Sequence, residues 1–302
     1  MTNTKILPLV LMLALFSFAA CSEQESSPRS DHGDSQTGTS GEQLLPDPGV
    51  VSFTFRNQFD EDVPGTLDFI KEIGINNIEF SNLFGKTAEE LRALLDERDL
   101  ICTSFGANYR TLTENFDQVV HDAKTLGARH VRLAWFPHDA PFDLDDAQRA
   151  VDFFNDLGRR LAEHDLMFSY HNHGYEFVEH GDGTLFDYIV QNTDPEYVNF
   201  QMDVFWVVWP GHDPVELLER YPDRFRLMHL KDMRKGVTGD LTGRTPDRNE
   251  YMVGLGDGQI DFQAILEAAQ NTSIEYFYIE DEIEDVMNSV PRGYRHITSL
   301  TH

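Results

Sequence analysis

The chain has 302 residues, 40% of them hydrophobic, and its 52 acidic residues against 24 basic ones give a formal net charge of −28. This charge argues against nucleic acid as a partner, because so acidic a surface repels phosphates. The hydrophobic content is enough for one large core, and the length fits either two average domains or a single α/β barrel of about 250 residues.

The N-terminal stretch has the pattern of a signal peptide. An apolar run from Ile6 to Ala20 follows Lys5, and it is shorter than the roughly 20 residues of a comfortable membrane-spanning helix. Small residues stand directly before Cys21, as in a bacterial lipoprotein signal peptide, so residues 1–20 are predicted to be removed and Cys21 to be lipidated. An ordinary secretory signal and a retained anchor are the alternatives. The protein is therefore expected on the periplasmic or cell-surface side, attached to the membrane only by its lipid.

Residues 21–49 are predicted to form a flexible tether. Ser, Glu, Asp, Gly, Gln and Pro dominate this segment, and it has too little apolar surface to offset the entropy lost on ordering. Residues 50–302 are predicted to be one catalytic domain. Cys102 lies in an apolar run of that domain and is expected to be an inert packing residue, because a lipidated Cys21 leaves it no disulfide partner.

From residue 50 onward, short apolar runs alternate with segments of helical periodicity. Seven strands are predicted at 50–55, 77–80, 100–105, 130–135, 197–203, 225–230 and 276–280, and another, fifth in chain order, begins at Leu166. Helices are predicted at 66–73, 87–99, 114–126, 144–164, 185–191, 214–221, 262–269 and 283–300. Eight strands alternating with helices indicate an α/β fold in which a parallel sheet closes on itself, the (β/α)8 TIM barrel.

Two histidines stand at the end of the fifth strand, in Tyr170-His-Asn-His173. Alternation along a strand places both imidazoles on one face. A single histidine there would more often be a hydrogen-bonded wall residue. Three later strands, however, also end in metal-type side chains, and the carboxyl ends of all barrel strands meet at one rim. The pattern therefore predicts a metal site formed by His171, Asp203, His229 and Glu280.

Four motifs make the chain from about residue 50 onward resemble the sugar phosphate isomerase/epimerase family, the xylose isomerase-like barrels: Tyr170-His-Asn-His173, Met202-Asp-Val-Phe-Trp206, Met228-His-Leu-Lys-Asp232 and Ile279-Glu-Asp-Glu282. The resemblance implies one divalent ion, held at the positions of the four predicted ligands. Many members carry Glu where this chain has His171, while Asn172 and His173 are retained. Two histidines with two carboxylates favour Mn, Fe, Co or Zn over Ca and Mg, which prefer oxygen ligands.

The resemblance also implies proton abstraction from a sugar. Family isomerases and epimerases bind the substrate carbonyl to the metal, which acts as a Lewis acid and makes the neighbouring C–H acidic enough to form an enediolate. Metal-bound glutamates often serve as the two bases, and this chain keeps one of them, Glu280. The second base is then expected among His173, Glu176, Lys231 and Glu79.

Several residues near the predicted rim are candidate supporting groups. Lys231 shares a face with His229, where its ammonium can stabilise a developing enolate. Glu79 ends the second strand and is equally well explained as a base, a sugar-hydroxyl acceptor or a salt-bridged rim residue. Asn108, Trp135 and Trp206 are candidate substrate contacts, although packing explains such aromatic rings as often as sugar stacking does.

The connection after the seventh strand contains a polar insertion at residues 234–249. It is too long for an ordinary strand-to-helix loop, and such insertions are usually functional lids or disordered segments. Asp232, just before it, points away from Lys231 and is expected to orient a neighbouring group. The glycine-rich run at residues 254–258 is better explained as a tight turn than as a phosphate site.

Three functions stay open from the sequence. The leading hypothesis is an exported, metal-dependent isomerase or epimerase of an unphosphorylated sugar or sugar derivative. The alternative is a lyase or hydrolase that acts on 3-keto-glycosides by β-elimination, which needs one base and an acid for the leaving group. The third is a sugar-binding lipoprotein without turnover, which the complete ligand set and Lys231 disfavour. The oligomeric state is not predicted.

Overall fold

A computed structural model describes residues 42–45, 47–245 and 247–302. Eight strands pair in parallel and close into a barrel, with the last strand bonded to the first. The predicted (β/α)8 barrel is therefore confirmed. The strands are β1 (Gly49–Val51), β2 (Asn77–Phe80), β3 (Ile101–Gly106), β4 (His130–Leu133), β5 (Met167–His171), β6 (Val198–Asp203), β7 (Phe225–Leu230) and β8 (Tyr276–Ile279).

Helices surround the barrel, and their apolar faces pack on the outside of the sheet to form the main core. The Thr87–Glu90 capping box begins the third helix, and Gly127 ends the fifth with a positive φ of 84°, as their residue types favour. The helices are α1 (Arg56–Glu61), α2 (Val63–Ile73), α3 (Ala88–Asp96), α4 (Tyr109–Glu114), α5 (Phe116–Leu126), α6 (Leu144–Ala162), α7 (Leu185–Asn192), α8 (Val204–Val208), α9 (Pro214–Arg220), α10 (Arg248–Tyr251), α11 (Phe262–Ala269) and α12 (Val286–Thr298).

The first strand is shorter than predicted. It ends at Val51, and Ser52–Phe55 forms a 3-10 helix. The hydroxyls of Ser52 and Thr54 accept hydrogen bonds from the backbone N–H groups of Ser81 and Asp281, just beyond the neighbouring strands. These side-chain bonds cap the adjacent strands, so the β-type run turns away from the sheet.

The end of the predicted tether packs against the barrel. Leu44 and Leu45 are buried, the Leu44 N–H donates to the Leu300 carbonyl at 3.0 Å, and Gln43 forms a β-bridge with Thr301. The tether prediction is therefore wrong for its last residues, because two consecutive leucines supply apolar surface to bury. The predicted signal peptide, the lipidation of Cys21 and residues 22–41 of the tether lie outside the described residues.

Cys102 is buried, as predicted. Burial raises the pKa of its thiol to about 12, which makes it a packing group with little thiolate character. Across the part of the chain that the structure describes, no helix combines the length and apolar character needed to cross a membrane.

The predicted polar insertion forms an ordered loop at the rim of the barrel. Asp232–Met233 pairs antiparallel with Met252–Val253, so the insertion leaves and returns at one point. The Gly239 N–H donates to the Trp209 carbonyl at 3.0 Å, and α10 forms just before the return. The insertion therefore folds back onto the carboxyl ends of the strands.

Candidate metal centre

The four predicted ligands meet at the carboxyl rim of the barrel. One donor atom from each lies within 4.8 Å of the others, and all four side chains are buried. His171 and Asp203 end β5 and β6, His229 lies in β7, and Glu280 directly follows β8. Barrel closure thus brings together residues separated by as many as 109 positions in the sequence, 280 minus 171.

The cluster has the electrostatics of a cation site. Asp203 Oδ2 is buried and has no hydrogen-bond partner among the described residues, and burial raises the pKa of this carboxyl to about 7. Burial lowers the pKa of His229, but Glu79 and Glu280 outweigh that effect and bring it to about 9. An unsatisfied buried oxygen is costly, and a divalent cation would satisfy it. The donor set therefore fits a metal ion.

Glu79 lies beneath this cluster and is fully buried. Its Oε1 accepts from His229 Nε2 at 2.8 Å and forms an ion pair with Arg132 Nε at 2.8 Å, while its Oε2 accepts from Gln201 Nε2 at 2.7 Å. Burial alone would raise the pKa of Glu79, but Arg132 and His229 lower it to about 2. Glu79 is therefore an ionised carboxylate behind the ligands, outside the described cavity lining. The interpretation of Glu79 as a base or sugar-hydroxyl acceptor is wrong, because its oxygens already bind these partners.

Lys231 lies beside two of the ligands. Its ammonium forms an ion pair with Glu282 and lies 3.6 Å from Glu280 Oε2 and 3.9 Å from Asp203 Oδ2. Burial lowers the pKa of Lys231, but these three carboxylates together raise it above its ordinary value. Lys231 is therefore charged, which suits the stabilisation of an enolate and does not suit the alternative role of a base.

His173 lies in the cavity wall between two indole rings. Its ring centroid is 5.4 Å from that of Trp135 and 5.5 Å from that of Trp206. Its Nδ1 is buried and lacks a hydrogen-bond partner within the described part of the chain. Burial lowers the pKa of His173 to about 3, so the ring is neutral. A neutral imidazole in a cavity wall is a candidate proton acceptor.

Glu176 is not at the cavity, contrary to its proposed role as a base. Its carboxylate accepts hydrogen bonds from the His173 backbone N–H, at 3.1 and 3.2 Å, and from the Tyr170 hydroxyl. The residue is fully buried and lies outside the wall that the described residues form. The loop after Gly174, which has a φ of 89°, turns this side chain inward. Glu176 therefore supports the backbone of His173 and does not reach a substrate.

A cavity of about 650 Å³ opens above the cluster. The predicted substrate contacts Asn108, Trp135 and Trp206 all line it, although Asn108 also caps α4 through a hydrogen bond from the Thr111 N–H. The volume is within the range of small-molecule sites. The cavity can therefore hold a sugar-sized ligand against both indoles.

The insertion completes this cavity with residues that the sequence did not single out. Gly243, Arg244, Thr245 and Arg248 line the wall. Arg244 stacks 4.6 Å from the ring centroid of Trp135, and Arg248 Nε lies 2.7 Å from Glu282 Oε2. Glu282 belongs to the fourth motif, two positions after Glu280, and this spacing was the available signal for it. No local pattern identified the arginines of the insertion.

The fold and the four buried donors define a (β/α)8 barrel with a candidate metal centre at its carboxyl rim. Residues 67–298 match the family described as xylose isomerase-like TIM barrel. The chain therefore belongs to that family, which confirms the resemblance seen in its motifs.

Known relatives agree with this assignment. An inosose dehydratase from Lacticaseibacillus casei is 25% identical over 256 residues, which cover 76% of this chain and 84% of the relative. A sugar phosphate isomerase/epimerase from Parabacteroides distasonis ATCC 8503 superposes with a TM-score of 0.67 at 20% identity, covering 88% of this chain and 96% of that one. The IOLI protein with a bound zinc atom gives a TM-score of 0.66 at 16% identity, covering 85% and 99%.

Proposed function

We propose that this protein is a metal-dependent lyase of a keto-sugar or keto-cyclitol, which removes a proton beside the carbonyl and expels the β-oxygen substituent. One observation carries the proposal. Two of the four buried donors, His171 and Glu280, line a cavity with a charged Lys231 and a neutral His173, and Asp203 Oδ2 in the same cluster lacks a hydrogen-bond partner among the described residues. The similarity to an inosose dehydratase supports elimination as the outcome. Elimination was the alternative hypothesis from the sequence, and we now prefer it to isomerisation.

The bond changes balance with one base and one acid. A divalent ion held by the four donors supplies Lewis-acid polarisation of the carbonyl when bound. The imidazole of His173 takes the proton from the α-carbon, and the electron pair of that C–H bond forms the enolate. Lys231, through its ammonium, stabilises the negative charge that develops on the oxygen. The enolate then expels the β-oxygen substituent, which leaves with the proton returned by His173, giving an α,β-unsaturated ketone and water or an alcohol.

His173 suits this double role because one imidazole both accepts and donates a proton. Its neutral ring lines the cavity, whereas the carboxylate of Glu280 is engaged by His229 Nδ1 at 2.9 Å and lies close to Lys231. Burial raises the pKa of Glu280, but Lys231 and His229 more than offset this and hold it well below its ordinary value. These two partners keep Glu280 ionised and engaged, so the proposal assigns the proton transfer to His173.

An isomerase or epimerase is the second candidate, since Glu280 and His173 both line the cavity and a two-base reaction needs two such groups. Both candidates share the metal centre, a sugar-like substrate and proton abstraction. They differ in whether a carbon–oxygen bond breaks.

The test incubates the zinc- or manganese-loaded protein with inosose and with 3-keto-glucosides in heavy water, followed by NMR. Formation of an enone together with water or the free alcohol supports the lyase. Deuterium uptake with a sugar isomer as the only product supports the second candidate. If the sugar binds but no substrate shows deuterium exchange or turnover, the protein would be a sugar-binding protein without catalytic activity. Lys231→Met and His173→Gln should lower kcat by roughly 100-fold or more in either enzyme, with Asp187→Asn as a remote buried-carboxylate control.

A further inference from the structure

One buried carboxylate, that of Glu79, is linked by hydrogen bonds to both histidines of the proposed centre. Glu79 binds His229 directly through Oε1, at 2.8 Å. Its Oε2 accepts from Gln201 Nε2 at 2.7 Å, and Gln201 Oε1 in turn lies 2.9 Å from His171 Nδ1. The side chain is completely buried and lies behind the ligands. Nothing in its position allows contact with a substrate in the cavity described above.

The chemistry of these bonds determines which ring nitrogens face the centre. Gln201 Nε2 donates to Glu79 Oε2, so the amide NH2 of Gln201 points at the carboxylate. The Gln201 carbonyl oxygen then points at His171 Nδ1, which must carry the proton. His171 Nε2 is left as the nitrogen with the free lone pair, 3.6 Å from Asp203 Oδ2. The same carboxylate accepts from His229 Nε2, so His229 Nδ1 is turned towards Glu280, at 2.9 Å.

We infer that Glu79 is the positioning residue of the proposed metal centre, where it orients His229 directly and His171 through Gln201. Arg132 holds the carboxylate in place from the other side, with its Nε 2.8 Å from Glu79 Oε1. The inference rests on the proposed function, because it needs the metal centre. Beyond that function, it predicts that residues without contact to the metal ion contribute to the affinity for the ion. It also gives the imidazole at position 171 the outer hydrogen-bond acceptor that a metal-bound histidine uses.

The test measures binding of Zn²⁺ and of Mn²⁺ to the purified protein by competition with a chromogenic chelator. Glu79→Gln should weaken binding by roughly 10- to 100-fold, the usual loss when an outer partner of a metal-bound histidine is removed. Gln201→Met keeps about the length of the side chain but removes its bonds to both His171 and Glu79. The bond from His229 to Glu79 stays, so a smaller loss in the same direction is expected. His171→Ala removes a ligand itself. Asp187→Asn, a buried carboxylate remote from the centre, should bind as the wild type does.

A double-mutant cycle separates positioning from general loosening of the fold. Because Gln201 acts mainly through His171, Gln201→Met should weaken binding much less in the His171→Ala background than in the wild type. Long-range ¹H–¹⁵N NMR of the metal-free protein should show the proton on His171 Nδ1 in the wild type and a tautomer mixture in Gln201→Met. If Glu79→Gln does not fold, Glu79→Asp replaces it in the binding measurement, and the cycle and the tautomer measurement test the route through Gln201.

Two results would overturn the inference, and they differ from failure of the proposed function. Unchanged affinity in Glu79→Gln and Gln201→Met, with weakened binding in His171→Ala, would leave the metal centre intact and remove the positioning role. An equal loss from Gln201→Met with and without His171 would do the same. A wild type that binds no stoichiometric ion, or binds it as weakly as His171→Ala does, would instead remove the centre and the proposed function with it.

Discussion

Glu176 is a buried carboxylate whose partners are the His173 backbone N–H, at 3.1 and 3.2 Å, and the Tyr170 hydroxyl. Burial raises its pKa from an ordinary value of 4.5 to about 7. The folded protein therefore keeps a proton on Glu176 in a pH range where the unfolded chain has lost it. This residue makes the stability of the loop that carries His173 dependent on pH.

The stability of the protein should fall as the pH rises through this range. A raised folded-state pKa stabilises the protein fully below pH 4.5, and that contribution is lost as the pH rises to about 7. Glu176→Gln removes this titration, so the wild type should lose stability relative to the variant by up to about 1.4 kcal/mol per pH unit in that window. Urea unfolding across the window measures the difference. Glu114→Gln is the matched exposed control, and parallel curves for Glu176→Gln and the wild type would refute the prediction.

At the scale of elements, a single side chain holds the glycine-rich turn beside the barrel. The Asp232 carboxylate accepts hydrogen bonds from four backbone N–H groups, those of Met233, Gly256, Gly258 and Ile260. A Cβ on Gly258 would lie 2.1 Å from Asp232 Oδ1, so only glycine permits this approach. The turn is therefore organised by Asp232, in agreement with its expected orienting role.

Replacement of Asp232 by Asn tests this arrangement. The variant keeps one acceptor oxygen and places an NH2 group against backbone donors, so the free energy of unfolding should fall by about 1–3 kcal/mol. Denaturant unfolding gives the value. Asp257→Asn, in the same turn, breaks only the exposed ion pair with Arg292 and should cost less than about 1 kcal/mol. Equal losses in the two variants would contradict the role of Asp232.

The polar insertion is joined to the barrel at the cavity. Arg248 on α10 pairs with Glu282 at 2.7 Å, and Glu282 also pairs with Lys231. Gly239 packs so closely on Trp209 that an added Cβ would lie 1.9 Å from the indole. Arg248 is about half exposed, with a relative side-chain accessibility of 47%. Local opening of the insertion therefore depends in part on one ion pair.

Arg248→Ala should free the insertion and increase tryptic cleavage after Lys235 and Arg244 by roughly two- to fivefold, the effect of losing one partly exposed ion pair. Limited proteolysis followed by mass spectrometry measures both sites. Arg292→Ala is the control, because it breaks an exposed ion pair with Asp257 away from the insertion. If the two variants are cleaved at the same rate, Arg248 does not hold the insertion closed.

At the scale of the whole molecule, the predicted export signal and lipid anchor are independent of the barrel's chemistry. We propose that the protein is exported and anchored through Cys21, on the pattern of the apolar run and small residues before that cysteine. Cys21→Ala should then abolish incorporation of radiolabelled palmitate in the expressing cells and release the protein from the membrane fraction. Labelling of the Cys21→Ala variant equal to the wild type would contradict the anchor.

Sequence periodicity alone was enough to predict the barrel and the residues at its rim. Alternation along strands and the ends of apolar runs are local properties, and they placed His171, Asp203, His229 and Glu280 at one edge. The same alternation puts Gln201 on the face of Asp203, two positions earlier, which was an unused signal for an inward polar residue. Local patterns failed at Ser52–Phe55, where bonds to neighbouring strands end β1.

Only the closed barrel decided which of these atoms meet. Glu79 and Gln201 are 122 positions apart, and Glu79 and His229 are 150 apart, so their contact depends on strand register and closure that no local pattern contains. Burial of side chains follows from the same closure. Glu79 and Glu176 are buried behind the cavity wall, whereas His173 lines the cavity. The local sequence encodes residue types and their spacing. Pairing across the barrel is instead a property of tertiary packing, and it brings the separate side chains together as a candidate metal centre.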